Sequence, residues 1–311
     1  MQVILTSFRI VAELLILVGI GMLLKQKNIV SAQTVREMNR LVMLIFIPLN
    51  IFTSIYNSDF ETDFDGGYIL FILAMGILSC LGGVLLARML TKKQREQSAF
   101  AQVSVRPNDG IFGLPLAHSI YGAPVDGVAA ISCAFLAPFF NFFAVVLFES
   151  YAGGKVAPGK MIMKIIRNPI IIASVIAIAI KIINIQLPAV LFNSINYLSR
   201  GCTGVSLLVL GTSFNFRNDA SKKLISLGLI YKMAIIPVAV LVVSILLGYR
   251  NVQLVAILAM FASPCAVSAY SMASGYDADL DLTSSIVVYS YLVCLITLPI
   301  IISAVRLLGL I

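Results

Sequence analysis

Two prolines interrupt long apolar stretches of this chain at similar depths, and the residues beside them are the ones equipped for chemistry. Pro107 lies in Val105-Arg106-Pro107-Asn108-Asp109-Gly110, and Pro264 lies in Ala262-Ser263-Pro264-Cys265-Ala266, 157 residues later. A proline inside a helix removes one backbone hydrogen bond and presses on the preceding turn, at a cost of about 3 kcal/mol. In hydrocarbon the freed carbonyls and amides must face protein or a water-filled cavity. Such a break ends one half-helix and starts another, leaving carbonyls with partial negative charge on one side and amides with partial positive charge on the other. Two breaks crossing each other would gather both kinds of end in one small volume, suited to an organic anion and to a cation. Pro107, Asn108, Gly110, Ser263, Pro264 and Cys265 are therefore candidate substrate-binding residues. Asn108 contributes both donors and an acceptor.

Other polar side chains lie within apolar runs, where a charge is costly unless paired or wetted. Asp109 stands two residues from Pro107, within reach of the same wet volume. Lys232, ahead of Pro237, is the cation whose depth suits it, and the two are the candidate ion-coupling residues. Asn50 follows Pro48 and Asn141 follows Pro138; each reads as an interhelical hydrogen bond or as a ligand contact, and both join the candidate substrate-binding set. Arg106 either attracts anions or extends its guanidinium toward water. Arg9 and Glu13, four apart, can neutralise each other on one helix face. His118 is the only histidine; it reads as structural, with a proton role left open by its titration range. Cys80, Cys133, Cys202, Cys265 and Cys294 sit in apolar segments without paired spacing, as small buried hydrophobes rather than disulfides or metal ligands. No metal and no cofactor is expected.

The elements that must position these groups follow from composition. Hydrophobic residues make up 60% of the chain and charged residues 12%, with a mean hydropathy of +1.01. This is an all-α polytopic membrane protein by composition. At about 20 apolar residues per span, ten spans are expected, over 3–24, 38–57, 67–88, 98–121, 127–149, 165–184, 187–212, 223–247, 252–275 and 282–306. The first is read as a span rather than a signal peptide, because no basic region precedes it and Arg9 and Glu13 interrupt it.

Lys and Arg sort by side. Fifteen of them, from Lys25 to Lys223, fall in the loops after spans one, three, five and seven, against Lys181, Arg250 and Arg306 opposite. The loop after span two is purely acidic, with Asp59, Glu61, Asp63 and Asp65. The positive-inside rule then places both termini outside a cell membrane crossed many times. The net charge of +8 marks topology in the bilayer, not nucleic-acid binding, since no basic domain or aromatic stacking surface accompanies it. Five spans per half make the second half enter the membrane from the opposite side. The expected architecture is two inverted five-helix repeats, 1–152 and 153–311, with broken, crossing helices four and nine. Gly122 and Gly275, then Pro138 and Pro299, follow the two breaks in the same order.

Pro107-Asn108-Asp109-Gly110-Ile111-Phe112-Gly113-Leu114-Pro115-Leu116, followed by Tyr121-Gly122, resembles the fourth-helix crossover of the auxin efflux carrier family. That family includes plant auxin exporters and bacterial malate and malonate permeases. Ser263-Pro264-Cys265-Ala266-Val267 resembles its ninth-helix crossover, and Asn168-Pro169 and Leu208-Val209-Leu210-Gly211 resemble its sixth- and seventh-helix signatures. The resemblance implies a fold like that of bile-acid sodium symporters, with spans one, two, six and seven as scaffold and the remainder as a mobile core moving like an elevator. It also implies a homodimer joined through the scaffold, and Asn108 as the leading substrate contact. Two departures stand out: Gly201-Cys202-Thr203-Gly204 where the seventh span often carries a proline, and the acid at Asp109.

The function expected is secondary transport of small organic anions, mono- or dicarboxylates, with a proton or sodium ion as coupling partner. No nucleotide-binding glycine loop is present, so ATP is not a direct drive. Of a different class is a membrane prenyltransferase-like enzyme. Asp277, Asp279 and Asp281, with Asn215 to Asp219 in another loop, superficially resemble acid-rich loops that chelate magnesium-bound diphosphates. A channel or receptor is the third reading.

Overall fold

The computed structural model describes residues 2–57, 65–151, 163, 166–213 and 220–311, with side chains described for all of these except 2–11, 54 and 213. The carboxylates of Asp59, Glu61 and Asp63, the Asn215 to Asp219 loop and the Arg9 side chain lie outside the described residues. Among those described the chain is helical, with no strand. The helices are α1 (Gln2–Gln26), α2 (Ala32–Asn57), α3 (Gly66–Leu90), α4 (Gln94–Val103), α5 (Leu114–Tyr121), α6 (Ala123–Tyr151), α7 (Pro169–Ile182), α8 (Ala189–Ser213), α9 (Lys222–Leu246), α10 (Asn251–Ala262), α11 (Ser268–Ser274) and α12 (Leu280–Leu307).

Helices α2, α3, α6, α9 and α12 are each long and apolar enough to cross a membrane. Shorter apolar helices, α7 and α10, join them. Helix α3 turns Leu70, Leu78, Leu81 and Leu85 outward, each more than half exposed. Such a leucine face is at home in lipid and not in water.

Local chemistry sets the helix ends. Asn168 accepts from the Ile170 amide at 2.9 Å while Pro169 opens α7 at a position where its missing N–H costs nothing. Asp65 caps α3 through the Gly67 amide at 2.9 Å, and Asp279 caps α12 through the Leu282 amide at 2.9 Å. Helices α1 and α7 close with the same left-handed cap. Asn28 (φ 54°) donates to Lys25 O and Ile29 to Leu24 O; Asn184 (φ 58°) donates to Lys181 O and Ile185 to Ile180 O. Both are Lys-x-x-Asn-Ile sequences, 156 residues apart, in which asparagine tolerates the left-handed backbone.

Three helical stretches contain a wide π turn: Val42–Phe46, Asp109–Gly113 and Tyr231–Ile235. Each ends two residues before a proline, namely Pro48, Pro115 and Pro237. The proline ring pushes on the carbonyl four residues back, and a wider turn there relieves the contact. Two of the three turns carry Asp109 and Lys232. The proline spacing therefore decides where these charges point.

Helix α1 packs along α8, and α2 packs against both α7 and α8. At the α1–α8 crossing Gly21 meets Gly211 so closely that a Cβ on either would overlap the carbonyl of Leu208 or Val18. The remaining helices surround the two interrupted stretches, α4–α5 and α10–α11.

Candidate functional site

The breaks at Pro107 and Pro264 lie side by side in antiparallel register, with Pro107 opposite Cys265. The Asn108 amide donates to Pro264 O at 2.8 Å, and the Ala266 amide donates to Arg106 O at 3.1 Å. Each break thus satisfies polar groups that the other exposed, which is how non-helical backbone survives at depth. Helix α12 fastens both. The Ser290 hydroxyl accepts from the Cys265 amide at 2.9 Å, and the Asn108 side-chain amide donates to the Tyr291 hydroxyl at 2.6 Å. Sequence reading missed Ser290 and Tyr291; the available signal was two adjacent polar groups in the middle of an apolar span.

A cavity of about 100 Å³ opens beside the breaks. Its lining includes Asn50, Arg106, Pro107, Asn108, Asp109, Gly110 and Asn141 of the expected groups, and adds Cys202, Thr203 and Ser206 from α8 and Ala266 to Ser268 from the second break. The expected Ser263, Pro264 and Cys265 are placed behind it. Ser263 is turned back onto Met260 O at 2.9 Å, and Cys265 is fully buried against α12. From that break it is the residues just past the proline that face the cavity.

Arg106 is 6% exposed, so its guanidinium does not reach for water. Nη2 donates to Asn141 Oδ1 and Nη1 points at Met272 Sδ. Asn141 is itself held by its Nδ2 on Ala137 O at 2.8 Å, beside Pro138. Arg106 forms no ion pair among the described residues. A buried guanidinium with no carboxylate in ion-pair contact, although Asp109 stands elsewhere on the same lining, is poised for an anion.

Asp109 accepts from the Gly110 amide at 3.0 Å through Oδ1, while Oδ2 is buried without a hydrogen-bond partner. Asp109 and Lys232, the two candidate ion-coupling residues, make no ion pair with each other. Lys232 is fully buried and its ammonium donates to Phe261 O at 3.2 Å, in the last turn of α10. Unpaired carbonyls at a helix C-terminus attract a cation as a carboxylate does, and the π turn before Pro237 directs the lysine there.

Asn50 donates weakly to Ser199 O and Oγ at 3.4 and 3.3 Å, and Thr53 shares a 2.6 Å hydrogen bond with the same hydroxyl, tying α2 to α8. His118 pairs with Asp126 at 2.9 Å on an exposed surface, away from the cavity lining. Of the acidic loop residues, Asp277 pairs with Arg95 at 2.9 Å and Asp279 caps α12, so both carboxylates are engaged within the protein.

Comparison with known proteins gives a consistent picture. The model of a family described as membrane transport protein matches residues 6–302. The chain is 27% identical over 300 residues to an uncharacterized transporter of Methanothermobacter thermautotrophicus, covering 94% of this chain and 96% of that one. It is 25% identical over 298 residues to an uncharacterized transporter of Methanocaldococcus jannaschii, covering 89% and 91%.

Proposed function

The chain belongs to the membrane transport protein family, the auxin efflux carrier grouping to which its crossovers pointed, and we propose that it is a secondary transporter of small mono- or dicarboxylate anions. The observation that carries the substrate class is the Arg106 guanidinium, buried beside Asn141 at the cavity with no ion pair among the described residues. The cavity's size suits a small anion, and Asn108 presents a second N–H beyond the one given to Tyr291.

Charge balance supports proton coupling. Arg106 and Asp109 together leave the cavity neutral, and adding a carboxylate at low dielectric is costly unless a proton enters with it. Asp109 Oδ2, lacking a partner, is the atom to receive that proton. Sodium is disfavoured as the coupling ion because the ammonium of Lys232 already occupies the carbonyl end of α10.

Ten spans in two inverted repeats, 1–152 and 153–311, remain the architecture that best accounts for the paired breaks and for the matched caps at Asn28 and Asn184. Helices α1, α2, α7 and α8 serve as scaffold, and dimerisation runs through them. The remaining helices carry the anion as an elevator, with both termini outside the cell membrane. Substrate sits between the two groups, because the cavity takes one wall from α2 and α8 and the other from the breaks and α6.

The test is counterflow in proteoliposomes against a panel of mono- and dicarboxylates, with pH and sodium varied independently. Saturable counterflow that needs a higher substrate concentration in Arg106→Gln is expected. Non-saturating flux without counterflow would identify a channel and overturn the proposal.

A further inference from the structure

The cavity at the breaks has two walls of different chemistry. One wall, from the breaks and α6, carries Arg106, Asn108, Asp109 and Asn141. The other wall, from α2 and α8, carries no charge. Ile47, Ile51 and Ile55 fall at i, i+4 and i+8, so one face of α2 brings three isoleucines to the lining. Asn50 shares that face, but its side-chain amide donates to Ser199 of α8. Helix α8 adds Cys202, Thr203 and Ser206. Arg200, two residues before Cys202, is exposed and does not belong to the lining. Lys232 does not belong to it either, and its ammonium is set against Phe261 O at the end of α10.

These walls treat the two ends of a ligand differently. Arg106 is the one cation of the lining, so a carboxylate takes its charge-assisted hydrogen bond there. The rest of the ligand then lies against the isoleucines. A second ionised carboxylate in that place would lose its water and meet no cation, which is costly for a charge. A methyl or methylene group is instead stabilised by leaving water. A neutral polar group also has a partner, because the Thr203 hydroxyl lines the cavity, is partly accessible and has no hydrogen bond among the described residues. Size sets a further limit. An apolar cavity of about 150 Å³ takes a benzene, and this one, at about 100 Å³, suits a chain of a few carbons and not a ring.

We propose that the wall formed by α2 and α8 is a specificity filter, selecting short aliphatic monocarboxylates and rejecting dianions and aromatic acids. The filter rests on the reading of this cavity as the carboxylate site of a transporter, and narrows it.

The experiment measures equilibrium binding of radiolabelled butyrate and of radiolabelled succinate to the purified full chain in nanodiscs at neutral pH, with succinamate and benzoate as unlabelled competitors. Butyrate and succinate have equal numbers of carbons and differ by one ionised carboxylate, and succinamate puts a neutral amide in its place. Succinate and benzoate are expected to bind at least about tenfold more weakly than butyrate, with succinamate within about threefold of it. Thr203→Lys places an ammonium on the uncharged wall and is expected to narrow the gap between succinate and butyrate at least about fivefold. An unchanged melting temperature marks that variant as folded. If it does not fold, Ile51→Asn carries the same comparison, with butyrate weakened more than succinate. Absence of saturable binding of either label overturns the carboxylate reading and the filter with it. Succinate bound as tightly as butyrate, and weakened at least about tenfold by Arg106→Gln, leaves the carboxylate reading standing and overturns the filter. Benzoate bound as tightly as butyrate overturns it too, as does an unchanged succinate-to-butyrate ratio in the folded variant.

Discussion

The backbone amide of Asn108 donates to the carbonyl of Pro264 at 2.8 Å, so the residue after one break is held by the proline of the other. Neither break is a self-sufficient kink. Each supplies hydrogen-bonding groups that its partner needs, and α12 clamps the pair through Ser290 and Tyr291.

Tyr291→Phe removes the acceptor of the Asn108 side-chain amide in a buried place. A loss of about 1–3 kcal/mol is expected from an unsatisfied buried donor, visible as a lower melting temperature and a weaker substrate Kd. A Tyr291→Phe protein with unaltered stability and binding would show that water replaces the hydroxyl at no cost.

Arg106 makes a sharper prediction. Arg106→Gln is expected to weaken carboxylate binding by about 1.5–3 kcal/mol, the worth of a hydrogen bond to a charged group. Arg106→Lys should recover part of this, since the charge returns without the fork that meets Asn141 and a carboxylate together. Equal affinities in all three proteins, measured by counterflow at several substrate concentrations, would remove Arg106 from the site.

Uptake should rise as external pH falls if the proton on Asp109 admits the anion. Arg106 and Cys133 line the same cavity as that carboxyl, and Lys232 is the other buried cation nearby in the fold. Asp109→Asn should bind substrate with little pH dependence and lose proton-driven accumulation. Accumulation with an unchanged pH profile in that variant would leave Asp109 as a cap on the Gly110 amide and nothing more.

Sodium should have no effect on uptake by the native chain. Lys232→Ala empties the carbonyl end of α10, and sodium is expected to raise the melting temperature of that variant but not of the parent. Because Lys232 bonds Phe261 O and makes no ion pair with Asp109, the Asp109→Asn and Lys232→Ala effects on stability should couple weakly, well short of the mutual rescue that a direct ion pair gives. A strong mutual rescue would mean that the two charges do pair.

Orientation is open to a direct check. In a background without the five cysteines, a cysteine placed at Asp65 should react with an impermeant thiol reagent from outside intact cells, and one at Lys93 should not. The reverse pattern would invert the topology and leave the paired breaks untouched.

The sequence by itself determined the apolar helical character, the position of both interruptions and the polar residues beside the first of them. Composition, span length and a proline in mid-helix are local facts with local consequences. Of the residues it grouped as substrate-binding, Pro107, Asn108, Gly110, Asn141 and Asn50 line one cavity together with the ion-coupling candidate Asp109, and Ser263, Pro264 and Cys265 do not. What only the tertiary structure decided is which way side chains turn and which distant groups they meet. Arg106 faces inward because Asn141 of another helix receives it. Lys232 meets the carbonyl end of α10 instead of Asp109 because the wide turn ahead of Pro237 rotates it there. Ser263 to Cys265 stand behind the cavity because antiparallel pairing of the breaks commits their backbone to Arg106 and Asn108 and to Ser290 of α12. Depth along a helix is written in spacing, whereas direction around it depends on turns and on neighbours from other helices, from 29 residues away for Lys232 and Phe261 to 183 for Asn108 and Tyr291.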